Sequence, residues 1–379
     1  MFKKILNYWQ LLFLIVIILF FFKPFIFQGK IPISADTIVG MYHPYRDKIW
    51  DNFTQGVPFK NFLITDAVRQ QYPWRLLSIN LLKNGQSPLW NNFNFSGTAL
   101  LANPQSGVFY PLNFLYWVLA FNYAWGVQIF LQVLLAGLFF YLWLRVYNIS
   151  KTACLLGGLS FIFSGFFVAW LEWNTILQAA LWLPLILLAK EKIIRLIHLK
   201  VKNFEGLFNK DIFFWSLVLI FSETSSFLAG HLQTFFYVLL ISSLYLAVRF
   251  WQLNQFKGNI RWQLTLFATT GTIVFLLSSP QLLPSLEFIF NSARSFDQPL
   301  GFRTDWYLPW QHLIQFIAPD FFGNPATLNY WGQWNYGEFV GYIGIIPLLL
   351  ATIAILGRRD KKTLFFGLLG LLSLIFALP

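Results

Sequence analysis

Two aspartates and two arginines, Asp36, Asp66, Arg69 and Arg75, share one polar stretch of this chain between long apolar runs. A carboxylate can serve as a general base, and a guanidinium offers paired donors to phosphate oxygens. Each has an ordinary reading as well. Asp66 stands just before a stretch of helical periodicity and suits a helix cap, as Asp36 suits a cap or a surface ion pair. The arginines equally suit lipid headgroups. Glu223 lies inside an apolar run, where a charge faces a cavity, a partner or a pathway, or stays protonated and bonds a neighbouring helix. His231 and Gln233 begin another apolar run and could touch a ligand or simply be satisfied at an interface. Glu172, with Trp173 and Asn174, marks a short turn between apolar runs.

Several chemistries have no carrier in the sequence. There is neither a P-loop, nor a GxGxxG turn, nor a GxSxG elbow, which argues against nucleotide-driven chemistry. His43, His198, His231 and His312 are scattered and Cys154 is the single cysteine, so neither a disulfide nor a structural zinc site is expected. A divalent cation held by carboxylates stays an open expectation.

The elements that must position these residues are membrane spans. Of 379 residues, 57% are hydrophobic and only 11% charged, which a soluble fold could not bury. Apolar runs predict nine spans, over 9–27, 124–144, 152–170, 176–189, 212–229, 232–250, 262–283, 341–357 and 363–379. The first follows Lys3 and Lys4 and lacks a small-residue cleavage site, so it reads as an anchor. The net charge of +12 sits mostly in short loops: Arg145 and Lys151; Lys190, Lys192, Arg195, Lys200, Lys202 and Lys210; Arg249, Lys257 and Arg261; Arg358, Arg359, Lys361 and Lys362. That distribution is an orientation signal which puts the N-terminus in the cytoplasm, and it gives no case for nucleic acid. The last span ends at Leu378 and Pro379 without a tail and reads as the end of a fragment.

Two long polar segments, 28–123 and 284–340, fall on the opposite face, and function is expected there. The first carries Trp50, Tyr72, Trp74, Trp90 and Tyr110, and Leu76, Ile79 and Leu82 recur at helical spacing from Trp74 to Lys83, with Pro73 at the first turn. A helix on the membrane surface is predicted. The segment also echoes itself: Asp36, Tyr42, Pro58 and Asn61 repeat at the offset of Asp66, Tyr72, Pro88 and Asn91, with Gly56 and Gly85 one residue out of step.

Residues Asp66-Ala-Val-Arg-Gln-Gln-Tyr-Pro-Trp-Arg75, Gly85-Gln-Ser-Pro-Leu-Trp-Asn91, Gly97-Thr-Ala-Leu-Leu-Ala-Asn-Pro-Gln-Ser106 and Tyr110-Pro-Leu-Asn113 together resemble the YfhO family of bacterial membrane proteins. Trp182-Leu-Pro-Leu185, Gly230-His-Leu-Gln-Thr234, Pro319-Asp-Phe-Phe-Gly323 and Gly341-Tyr-Ile-Gly344 extend the resemblance over nearly the whole chain from Ile33. It implies an all-α integral membrane protein, a GT-C-like multi-span bundle whose large first outer loop bears surface helices. The expected division is 1–27 anchor, 28–123 outer loop with the catalytic site, 124–283 spans, 284–340 second outer loop and 341–379 final spans.

The resemblance further implies an inverting glycosyltransferase in the bacterial plasma membrane. It would move a sugar from a polyprenyl-phosphate donor to a cell-envelope glycan or glycolipid acceptor on the outer face, with membrane lipids as the other partners. Asp36, close behind the first span, and Asp66, within the best-matched motif, are the two candidates for the base. Arg69, Gln70, Arg75, Trp90, Asn91, Asn103, Gln105, Glu223, His231 and Gln233 form the expected phosphate- or substrate-binding set. Trp90 and Trp310 could stack on sugar faces or belong to the interfacial belt. The rivals are a lipid-linked saccharide transporter, for which Glu223 and the many helices argue but for which no related halves are visible, and a non-catalytic scaffold.

Overall fold

The structure is a computed structural model that describes residues 9–49, 65–201, 204–254, 260–292, 307–333 and 335–379. The expectations resting on Lys3, Lys4, Trp50, Gly56, Pro58, Asn61, Lys202 and Lys257 lie outside the described residues.

Helices dominate. In chain order they are α1 (Trp9–Phe21), α2 (Lys23–Gln28), α3 (Asp36–Met41), α4 (Tyr72–Lys83), α5 (Leu115–Val118), α6 (Phe121–Arg145), α7 (Lys151–Ile162), α8 (Gly165–Ala169), α9 (Ile176–Ala180), α10 (Leu183–Lys200), α11 (Lys210–Leu228), α12 (Leu232–Asn254), α13 (Ile260–Phe290), α14 (Tyr336–Phe339), α15 (Ile345–Gly357) and α16 (Lys361–Ala377). The strands among the described residues are β1 (Trp90–Asn91) and β2 (Thr98–Ala99), antiparallel with Trp90 opposite Ala99.

Among the described residues four helices are long and apolar enough to cross a membrane: α6, α11, α12 and α13. The chain is an integral membrane protein on that ground. Several expected spans are interrupted for local reasons. Pro24 divides 9–27 into α1 and α2, because proline has no N–H to give and its ring crowds the preceding turn. Ser164 ends the run of 152–170 and caps α8, accepting from Phe167 N at 3.4 Å. Pro184, at the start of α10, separates α9 from it, and α10 then continues as helix through Lys190 and Arg195, which the sequence reading had assigned to a loop. The helix predicted from Trp74 to Lys83 is present as α4, with Pro73 in its first turn.

The chain forms two compact units. The first comprises Met1–Pro32, Gln70–Leu155 and Trp173–Asp297. In it α10 packs against α6, α11 and α12, and α13 packs along α11. Small and apolar side chains on α6, namely Ala124, Ile129, Val133 and Ala136, are fully covered. Buried charge ties its helices together. Arg249 donates to Glu191 through Nε and an NH group, both at 2.7 Å, Tyr245 donates to the same carboxylate at 2.6 Å, and Arg195 joins it at 2.6 Å.

The second unit comprises Ile33–Arg69, Leu156–Glu172 and Gln298–Pro379. Its α8 lies on α14, where Gly165 N donates to Tyr342 O at 2.6 Å and Trp170 Nε1 to Gly337 O at 3.0 Å. A Cβ on Gly165 would overlap the Val340 carbonyl, so this approach needs glycine. The hairpin of α15 and α16 completes the unit.

Candidate functional site

The second unit holds the carboxylates. Asp36 opens α3 and is half-buried, and the amide groups of that first turn favour its negative charge. Glu172 follows α8 in a turn and is also half-buried. Burial, and after it the neighbouring charge of Asp36, pushes Glu172 up to about 7, with the Ser34 hydroxyl acting in the opposite direction. The fold therefore brings two carboxylates within electrostatic reach of each other, one of them pushed up to about 7. That is the range in which a group accepts a proton effectively without being permanently protonated.

Asp66 lies in the same unit, in the first turn of the helix that leads into α4, directly after Thr65, whose carbonyl accepts from Arg69 N at 2.9 Å. Burial raises its carboxyl, against the pull of Arg69 and of Thr65. The following turn, Ala67–Gln71, is a π-turn. Pro73 cannot supply the N–H that would close the ordinary bond to residue 69, and the helix widens where that bond is missing. Arg69 is exposed, with its guanidinium 6.0 Å from the Tyr42 ring centroid.

The first unit holds most of the remaining candidates. Arg75 is fully buried. It donates to Ser106 O at 3.2 Å, Asn113 Oδ1 at 3.2 Å, Gln128 Oε1 at 3.3 Å, Gln178 Oε1 at 3.5 Å and Asn174 O at 3.3 Å. Its charge is solvated by amide dipoles instead of a carboxylate, and its N–H groups face protein rather than a phosphate. Gly107, at φ +55, makes room for it: a Cβ there would overlap the guanidinium.

The loop above Arg75 carries Asn103 and Gln105, both half-buried. Asn103 Oδ1 accepts from Gln105 N at 3.1 Å, and Gln105 Oε1 accepts from Gln71 Nε2 at 2.8 Å. Gly230, at φ +95, lies against the Pro104 carbonyl so closely that a Cβ would collide with it, which brings its neighbour His231 to this loop. His231 Nδ1 accepts from Thr234 N at 3.2 Å, and burial pulls it down to about 4, so the ring is neutral and leaves Nε2 as a donor. Gln233 is exposed and reaches Tyr237 OH at 3.1 Å. Gln70 is half-buried at the head of this unit.

The others serve local structure. Asn91 is buried and its Oδ1 accepts from Phe93 N at 2.9 Å, while the exposed Trp90 covers Gly97. Glu223 is paired with Lys190 at 2.9 Å. Among the described residues no three His, Cys, Asp or Glu side chains gather as a metal site. Sequence reasoning missed Gln128 and Gln178, and it placed Asn174 only in a turn. The signal of the two glutamines was present all the same, as amides within otherwise apolar runs, where each must find a buried polar partner.

With this geometry in hand, the chain matches no family model, no curated protein and no solved structure.

Proposed function

We propose that this chain is an inverting, GT-C-type glycosyltransferase of the kind the YfhO resemblance implies, using a polyprenyl-phosphate sugar on the outer face of the bacterial plasma membrane. The observation that carries the reading is the pairing of Asp36 with Glu172, whose carboxyl is pushed up to about 7 within a membrane protein. In this reading the carboxylate pair takes the proton of an acceptor hydroxyl as that oxygen bonds to the anomeric carbon. The carbon–oxygen bond to phosphate breaks, and polyprenyl phosphate leaves with the electron pair. A single displacement of this kind inverts the anomeric centre. Arg69 supplies donors to the departing phosphate.

Asp66 is the alternative base, since burial raises it as well. The pair supplies two carboxylates, so a divalent cation held there would take its remaining oxygen ligands from phosphate and water. Nine passes with a cytoplasmic N-terminus belong to the same proposal, supported by the basic residues that the sequence gathers between its apolar runs, among them Arg358, Arg359, Lys361 and Lys362. The transporter reading drew on Glu223, for which the Lys190 ion pair gives a structural role instead.

The test is sugar release from radiolabelled polyprenyl-phosphate sugars by the full chain in proteoliposomes. Turnover should fall by about 100-fold or more in Asp36→Asn, the usual range for removing an acid–base group. Parent-rate turnover in a folded Asp36→Asn, Asp66→Asn double variant would sink the mechanism. Labelled sugar moved across the bilayer on an intact carrier would favour the transporter.

A further inference from the structure

The turn joining β1 to β2 exposes rings that water does not favour. Phe93 is 82% exposed and Phe95 is 95% exposed, with Leu89 at 56% and Trp90 at 53% beside them. Leaving a phenylalanine in water forfeits roughly 1.5–3 kcal/mol relative to covering it.

The backbone holds Phe95 in that position against its own preference. Phe95, Ser96 and Gly97 have φ of 49°, 64° and 122°, three successive residues in a region that side chains avoid. Gly97 N donates to Asn94 O at 2.8 Å and the Trp90 indole lies over Gly97, so the turn is fixed and not frayed.

Two observations identify what covers these rings. From Asn84 to Leu144 the chain contains no Asp, Glu, Lys, Arg or His, whereas a loop standing in water ordinarily carries charge. Depth is the second. Leu100 N donates to Leu89 O at 2.9 Å at the base of the hairpin, and the next carbonyl, Leu101 O, accepts from Gln281 Nε2 at 2.5 Å. Gln281 lies on α13, which stays helical to Phe290, itself 73% exposed, and carries its first carboxylate at Glu287. At a rise of 1.5 Å per residue the hairpin base is tied about 13 Å before the end of that helix. The hairpin base therefore lies below the outer end of α13 instead of beyond it.

We propose that the β1–β2 hairpin is a membrane-interface anchor, with Leu89, Trp90, Phe93 and Phe95 seated in the headgroup–acyl boundary of the bilayer that α13 crosses. The lipid interface accepts aromatic rings together with the polar Asn92, Asn94 and Ser96 between them. The proposal rests on α13 spanning the membrane and is independent of the glycosyltransferase reading.

The test uses the full chain with Phe93→Cys, carrying an environment-sensitive fluorophore, in vesicles of phosphatidylethanolamine and phosphatidylglycerol. Cys154 is fully buried, so the unsubstituted chain gives the labelling blank. A lipid nitroxide placed near the headgroup should reduce emission about twofold or more while aqueous iodide has little effect, as for a ring in the interfacial layer. Strong iodide quenching without nitroxide quenching would overturn the proposal, whether the rings then prove to face water, a glycan or a second copy. Phe95→Cys repeats the measurement at the neighbouring ring.

Discussion

Lys190 on α10 places its ammonium 2.9 Å from the carboxylate of Glu223 on α11, and the same ammonium donates to Ser242 Oγ at 2.9 Å. Both side chains are almost covered, at 5% and 11% exposure. A carboxylate in an apolar run thus holds three helices together through one cation, beside the Glu191–Arg249 pair that joins α10 to α12.

Breaking that pair on one side leaves a buried charge without compensation. Glu223→Gln should destabilise the protein by about 3–5 kcal/mol, whereas Lys190→Met with Glu223→Leu should cost little, because no charge is then left buried. Thermal unfolding in detergent would show it: equal losses in the single and double variants would contradict the pairing.

Arg75 should be among the most sensitive positions in the chain. Arg75→Met removes the donor common to five acceptors and leaves the Asn113, Gln128 and Gln178 oxygens competing for fewer protons. A loss of at least about 3 kcal/mol is expected. Retention of the parent melting temperature would mean that the amide cluster does not depend on the guanidinium.

Glu172 makes stability depend on pH. Its folded-state value of about 7 is above its ordinary 4.5, so between those values the folded protein binds more protons than the unfolded one. Stability therefore falls as pH rises from 4.5 to 7, by up to about 3 kcal/mol, and levels off above. Glu172→Gln should flatten this slope and be the more stable form at pH 8. Parallel pH profiles of melting for variant and parent would refute the raised carboxyl.

Activity should carry the same signature from the same pair. If the pair accepts the acceptor proton, kcat/KM rises with pH to about 7 and then levels. Asp36→Asn removes the neighbouring charge that helps raise Glu172, so the limb of whatever activity survives should move to lower pH. A limb that stayed in place would separate the two carboxylates.

Gly230 should not tolerate a side chain. Alanine there meets the Pro104 carbonyl and must hold φ near +95, so Gly230→Ala should cost about 1–3 kcal/mol and loosen the Asn103–Gln105 loop. Unchanged protease resistance around that loop would argue otherwise.

Membrane residence and the helix at Tyr72–Lys83 were legible in the sequence, because they follow from local facts. Apolar run length meets bilayer thickness, period 3.6 places Leu76, Ile79 and Leu82 on one face, and Pro73 starts a helix. Helix breaks were less legible, since Pro24 and Pro184 lie inside apolar runs that hydropathy averages over. Pairing was not legible at all. Nothing local says that Lys190 meets Glu223, that Glu191 receives Arg249, that Arg75 is enclosed by amides from three distant stretches, or that Glu172 stands beside Asp36. Residues decide by their own chemistry whether they can be buried or charged. Which partner meets each buried charge is decided by helix packing, because a desolvated group is satisfied only by what the tertiary structure brings within about 3 Å of it.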